Sequence, residues 1–258
     1  MYIWSTDERG LHHLVWEIVD NSIDEAMAGH CDTIIVTLGN DGSCIVEDNG
    51  RWIPTATHPK TWKSSLETIL TVLHAGWKFG WGGYKVSGWL HWVWSSVVNA
   101  LSTRMEAIVE REWKKFFLAF EKWITQGDIE VIGKSNRTGT IIKFWPDNEI
   151  FKITTTFDYQ TIVNRLRQQA YLTKWITLKI NDERSGQRYK FYFEWGIKSY
   201  VNFLNKNEEP IGEIFYVEKE KNDIFVEVSM QYNKEYSNNI ISFVNNIHTP
   251  EWGSHMVG

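Results

Sequence analysis

Apolar positions along the chain fall into two periods. Between Leu11 and Ala28 (L-H-H-L-V-W-E-I-V-D-N-S-I-D-E-A-M-A) they recur at Leu14, Val15, Ile18, Val19, Ile23, Ala26 and Met27, the spacing of one helix face. This predicts a helix over Arg9–Ala28, with Gly29 as its C-terminal cap. The other face carries His13, Glu17, Asn21 and Glu25, each four residues after the last, so the four side chains stack along it. Thr33–Leu38 and Ser43–Glu47 read as a hairpin around Gly39-Asn40-Asp41-Gly42. Ser64–His74 is helical in period, Ala75–His91 is a Gly-rich, Lys-bearing loop, and Val93–Leu101 is a further helix. Strands are predicted near Met105–Glu110, Lys114–Phe120, Asp128–Gly133 and Gly139–Phe144. A helix over Thr155–Leu172, strands over Ile176–Ile180 and Tyr189–Phe193, and a short helix over Ile197–Leu204 follow. Asn205–Glu213 is polar and holds Pro210, and Ile214–Val217, Ile224–Tyr232 and Ile240–Val244 close the chain as strands. The mixture is α+β.

A chain of 258 residues accommodates one large domain or two modest ones. The composition shift after helix Ile197–Leu204 places a boundary near Glu194, giving units 1–194 and 195–258, the second of which reads as unfinished. No apolar run is long enough to span a bilayer and no signal peptide opens the chain, so a cytoplasmic protein without a membrane partner is expected. Cys31 and Cys44 have no metal-binding spacing and are expected as reduced thiols. A net charge of -5 argues against this segment alone gripping nucleic acid. The abnormal number is 15 tryptophans, several of them inside the Gly-rich run: Trp77, Trp81, Trp89, Trp92 and Trp94.

The ladder on the first helix has two readings. It is a solvated face, or it is a site in which Glu17 activates water and the Asn21 carbonyl oxygen holds a metal; oxygen ligands suit Mg²⁺, which sits between few protein ligands and nucleotide phosphates. Asp48-Asn49-Gly50-Arg51-Trp52-Ile53-Pro54 is an ordinary turn, or a strand end presenting a carboxylate into a pocket. The loop with Lys78, Tyr84 and Lys85 fits phosphate binding, because backbone N–H groups and a helix N-terminus attract anions, and its length fits a lid.

The ordered set of strings M-Y-I-W-S-T, L-H-H-L-V-W-E-I-V-D-N-S-I-D-E-A, E-D-N-G-R-W-I-P, T-V-L-H-A-G-W-K-F, Y-K-V-S-G-W-L-H-W-V-W and F-V-N-N-I-H-T-P-E-W-G-S-H resembles the GHKL ATPase superfamily, and within it the DNA gyrase B family, over essentially the whole chain. The resemblance implies a two-layer α/β sandwich of the Bergerat type, followed by the start of a ribosomal-S5-like transducer domain. It implies ATP and Mg²⁺ as cofactors. Glu17 resembles the general base, His13 its orienting partner, and Asn21 the Mg²⁺ ligand; Glu25 belongs to the same nucleotide site. Asp48 matches the acceptor of the adenine amino group, assisted by Thr140, with Arg51, Ile53 and Pro54 beside the base. Lys78, Tyr84 and Lys85 match the lid. Gly88, Trp89, Leu90, His91, Trp92, Val93 and Trp94 match the phosphate-wrapping loop. Implied partners are the A subunit of gyrase, a second copy of the gyrase B protein on ATP binding, and double-stranded DNA. The N-terminal arm, the second-domain Lys that contacts the terminal phosphate, and the DNA-cleavage metal domain have no counterpart in these residues.

The equivalent subunit of topoisomerase IV is the alternative within the family. A histidine kinase or chaperone ATPase fits the strings less well. The family has Gly at Trp4, Trp52, Trp89, Trp92, Trp94, Trp195 and Trp252, and Trp77 and Trp113 join them; Trp145 is where the family itself carries Trp. Decoding of UGA as tryptophan in a chain whose source reads it as glycine would produce that pattern. Genuine indoles in the phosphate loop would instead leave a non-catalytic interaction module of the same fold.

Overall fold

The computed structural model describes residues 5–51, 53–57, 62–72, 95–222, 224–234 and 239–249. The first helix, α1 (Glu8–Met27), starts where Asp7 accepts the N–H groups of Arg9 and Gly10, and Gly29 follows its end at φ 80°. It is buried on most sides, with Leu11, Leu14, Val15, Ile18, Val19 and Ile23 in the core. The strands β1 (Thr33–Leu38) and β2 (Cys44–Asp48) form the expected hairpin. The short helices α2 (Ser65–Thr71), capped by Ser64, and α3 (Ser95–Ala100) follow.

Three long hairpin-connected strands come next: β3 (Ser102–Arg111), β4 (Lys114–Glu121) and β5 (Ile124–Lys134). Then β6 (Gly139–Pro146) returns between β3 and β2. The helix α4 (Tyr159–Leu172) leads to β7 (Thr177–Asp182) and β8 (Arg188–Tyr192). The result is one eight-stranded sheet in the order β5-β4-β3-β6-β2-β1-β7-β8, antiparallel except where β1 runs parallel to β7. Burial alternates along β1, β2, β6 and β7, so one sheet face packs under α1–α4 and the other is wetter. That is the two-layer α/β sandwich the sequence predicts.

A second region holds α5 (Ile197–Leu204), a two-stranded sheet of β9 (Pro210–Lys221) and β10 (Ile224–Asn233), and the small hairpin β11 (Phe243–Val244) with β12 (Ile247–His248). It meets the C-terminal end of α4. Tyr171 stacks between Phe193 and Tyr200, with ring centroids 3.9 and 4.9 Å away. Lys174 reaches Glu227 at 2.6 Å and Glu218 at 2.8 Å, and Tyr216 Oη lies 2.7 Å from its Nζ. Burial alone would lower the Lys174 pKa, but these bonds to Glu218, Glu227 and Tyr216 hold it above the usual value. Asn246 Nδ2 donates to Thr173 Oγ1 at 3.0 Å.

Three expectations need correction. The helix expected from Thr155 begins at Tyr159, because Asp158 caps it by accepting from Thr161 N at 2.6 Å. The strand expected over Ile214–Val217 is longer at both ends: β9 begins at Pro210, which tolerates the first position of an edge strand because its missing N–H costs no ladder bond there, and runs to Lys221. Ile240–Val244 is strand only at Phe243 and Val244; Asn245 and Asn246, both at positive φ, turn the chain back immediately. The loop expected over Ala75–His91 lies outside the described residues. Both cysteines are free thiols. Among the described residues no helix is long and apolar enough to cross a membrane.

Two outcomes test the framework. Leu14→Ala, at a fully buried position between α1 and the sheet, lowers stability by about 3 kcal/mol in a denaturant titration. Asp158→Ala lowers it by about 1 kcal/mol at neutral pH. Hydrogen bonds from Thr161 hold the Asp158 carboxyl below its usual value, so this contribution is complete above the unfolded value of about 4 and is lost as pH falls through the lower folded value. The Asp158→Ala penalty therefore shrinks in acid, which titrations across that window measure.

Candidate functional site

The site lies where the polar face of α1 meets the end of β2. Inward-facing positions on β2 are Cys44, Val46 and Asp48, so the strand's alternation carries the Asp48 carboxylate under the helix layer, where it is 5% exposed. A buried charge there needs donors. Ser22 Oγ donates to Asp48 Oδ2 at 2.7 Å, and Gly50 N donates to Oδ1 at 2.9 Å. In register opposite Asp48 stands Thr140 on β6, itself buried, with an Oγ1 that has no partner among the described residues. The Thr138-Gly139-Thr140 entry to β6 is close-packed: a Cβ on Gly139 would sit 2.6 Å from the Asp48 carbonyl oxygen.

Above this pair runs the ladder, and it is not a solvated face. Asn21 is 1% exposed and Glu25 0%, and Glu17 is buried too; only His13 is half-open. His13 Nε2 lies 2.8 Å from Glu17 Oε1. Asn21 Nδ2 donates to the Glu17 carbonyl at 2.6 Å and to Ser95 Oγ at 2.9 Å. Its amide oxygen has no partner among the described residues, and neither has Glu17 Oε2. Two acceptors one helical turn apart are thus buried with nothing to accept from, a cost that native structures tolerate at functional sites.

Glu25 serves the turn after β2. Its Oε1 accepts from Arg51 N at 3.2 Å and Arg51 Nε at 3.3 Å, and a Cβ on Gly50 would lie 2.5 Å from Glu25 Cγ. The turn's far side is held by Arg111, whose Nη1 donates to the carbonyl of the fully buried Ile53 at 2.9 Å. Pro54 follows, half-buried. Burial, and then the nearby Asp48 charge, push the Cys31 thiol up to about 12, so it stays protonated beside the site.

The structure therefore brings together Glu17, His13, Asn21, Glu25, Asp48, Arg51, Ile53, Pro54 and Thr140. Lys78, Tyr84, Lys85 and the loop from Gly88 to Trp94 lie outside the described residues. Ser22, Ser95 and Arg111 are contributors that sequence reasoning missed. His12, the neighbour of His13, is structural: its Nδ1 lies 2.7 Å from the Glu8 carbonyl and its Nε2 accepts from Asp158 N at 2.8 Å, tying α1 to the start of α4. Among the described residues no three His, Cys, Asp or Glu side chains converge as a metal cluster.

Comparison with known proteins places this geometry. The family model described as "Histidine kinase-, DNA gyrase B-, and HSP90-like ATPase" matches residues 6–150, and the model described as "DNA gyrase B" matches residues 196–258. The chain is 52% identical over 260 residues to the DNA gyrase B protein of Halalkalibacterium halodurans, covering 100% of this chain and 41% of that protein. It is 50% identical over 262 residues to the DNA gyrase B protein of Staphylococcus aureus, with the same coverages. The chain thus spans about two-fifths of the length of these relatives. The crystal structure of the 43K ATPase domain of Thermus thermophilus gyrase B in complex with an aminocoumarin superposes with a TM-score of 0.89 at 35% identity, covering 100% of this chain and 66% of that one. These relatives do not favour topoisomerase IV or a non-catalytic module. The chain belongs to the histidine kinase-, DNA gyrase B- and HSP90-like ATPase family, as an ATPase region of the gyrase B type.

Proposed function

We propose that the chain is the ATP-binding and ATP-hydrolysing part of a cytoplasmic type II DNA topoisomerase. In the whole enzyme ATP would close a dimer of gyrase B chains, and the A subunit of gyrase with double-stranded DNA would complete the machine for strand passage and negative supercoiling. Residues 1–194 would form the ATP-binding domain and 195–258 the start of the transducer. The observation that carries the reading is the pair of orphaned buried acceptors, Glu17 Oε2 and Asn21 Oδ1, beside the buried Asp48–Thr140 pair.

The roles follow from the chemistry of each group. Glu17 Oε2 is a free carboxylate oxygen able to take the proton of an attacking water, while His13 on Oε1 fixes the carboxylate's orientation. The orphaned Asn21 oxygen suits a hard cation, so the residues fit Mg²⁺; once bound with nucleotide, the ion would neutralise phosphate charge. Asp48, which accepts from Ser22 and Gly50, would also accept an exocyclic adenine amine, and Thr140 Oγ1 would assist through water. Arg51, Ile53 and Pro54 would wall the base, and Glu25 would hold that wall. Lys78, Tyr84 and Lys85 would close over the nucleotide, and residues 88–94 would wrap its phosphates. Catalysis of this kind is positioning plus charge stabilisation.

Two variants separate the roles. In the native protein, Asp48→Asn weakens binding of a non-hydrolysable ATP analogue by about 10- to 100-fold in calorimetry, the worth of a hydrogen bond to a charged group. Glu17→Gln leaves that affinity within about threefold but lowers phosphate release by about 100-fold or more. Equal affinity of Asp48→Asn and parent would remove Asp48 from the base site. Absence of analogue binding by the native parent would leave an interaction module without nucleotide.

A further inference from the structure

Seven tryptophans lie among the described residues, and their backbones divide them. Trp16 sits within α1, stacked on His12 at 6.2 Å with the Arg165 guanidinium 6.0 Å from its ring. Trp145 sits within β6, with Lys143 Nζ 4.5 Å and the Arg104 guanidinium 6.0 Å from its ring. Both occupy ordinary helix or strand conformations and have partners. Trp62, Trp113, Trp123 and Trp175 instead have φ of 60°, 65°, 75° and 68°. Their backbones lie in the left-handed region, which the Cβ of a bulky residue obstructs and which glycine enters freely. Three of their indoles point into solvent, at 85% exposure for Trp62, 75% for Trp113 and 59% for Trp175.

Two of these positions are set by turn chemistry. Glu112-Trp113 joins β3 to β4, and Lys122-Trp123 joins β4 to β5. Both are two-residue hairpin loops with both φ values positive (52° and 65°, 43° and 75°), the signature of a type I′ turn. That turn asks for glycine at its second central position. Elsewhere the chain does use glycine for this conformation: Gly29, Gly42, Gly127, Gly186 and Gly212 hold φ between 73° and 80°. Among the described residues Asn222, Asn245 and Asn246, and Glu112 and Lys122 at the first positions of the two turns, hold this conformation as well, but four of the nine non-glycine cases are tryptophan, a concentration in one bulky residue that a single misread glycine codon explains.

We infer that the functional protein carries glycine at positions 62, 113, 123 and 175, encoded by UGA read as glycine, with tryptophan retained at Trp16 and Trp145. The glycines already present in the sequence come from the ordinary glycine codons. Trp195, exposed beside Gly196, is outside the left-handed region and is not assigned by geometry. The same decoding acts on sequence positions 89, 92 and 94, which lie outside the described residues. The inference itself rests on backbone geometry and stands apart from the ATPase reading.

The experiment is to read the codons in the source gene and to determine peptide masses of the protein purified from that source. The expected result is UGA with glycine-containing peptides at 62, 113, 123 and 175, and UGG with tryptophan at 16 and 145. UGG at the four turn positions, or indole in their peptides, overturns the inference. A second measurement uses the chain as written: combining W62G, W113G, W123G and W175G raises the thermal midpoint, while W16G alone lowers it. A quadruple variant with an unchanged or lower midpoint also overturns it.

Discussion

One constraint organises the molecule: the inward-facing end of β2 is a carboxylate. Strand alternation turns Asp48 under the helix layer, where it is 5% exposed, so its charge is met from above, and the layer above is α1. The helix consequently cannot be apolar on the side facing that strand end. Ser22 supplies the direct bond, and Glu25, one turn on, ties down the turn that follows the strand. Packing permits this only because Gly50 and Gly139 carry no Cβ, since either would strike Glu25 or the Asp48 backbone. The site and the fold are therefore the same set of contacts at this end of the sheet.

That coupling explains what could be read in the sequence. Helical periodicity and the i, i+4 repeat placed His13, Glu17, Asn21 and Glu25 on one line, whereas Asp48, one residue past the strand expected over Ser43–Glu47, read equally as a turn residue or a strand-end carboxylate. These are local rules, and they predicted most of the strands and helices of residues 1–194, though not the order of the strands in the sheet. Whether the ladder was wet or buried was not a local property. Nor were Ser95 and Arg111 visible: Ser95 meets Asn21 across 74 positions of chain, and Arg111 meets Ile53 across 58. Ser22 lies off the ladder and reads as a small helix residue with no assigned task. Of adjacent histidines, His13 belongs to the site and His12 to the joint with α4, a division made by tertiary contacts alone.

Boundaries failed where a cap or turn outweighed the hydrophobic pattern. Asp158 delays α4, and the Asn245-Asn246 turn cuts short a strand that by pattern starts at Ile240. The same turn chemistry, in β3–β4–β5, exposes residues whose identity conflicts with their backbone. Periodicity is blind to such conflicts, because an exposed turn contributes nothing to it; the resemblance marked Trp113, and the dihedral angles add Trp62, Trp123 and Trp175.

The seam at the C-terminal end of α4 has a mechanical consequence. Tyr171 meets the second region through stacked rings, which slide over one another at little cost, whereas Lys174 is tethered to two carboxylates and a phenol by bonds of short range. The two halves of this joint thus differ in kind: the ring faces bind α4 to α5 without directional bonds, while Lys174 fixes the position of β9 and β10 through directional ones.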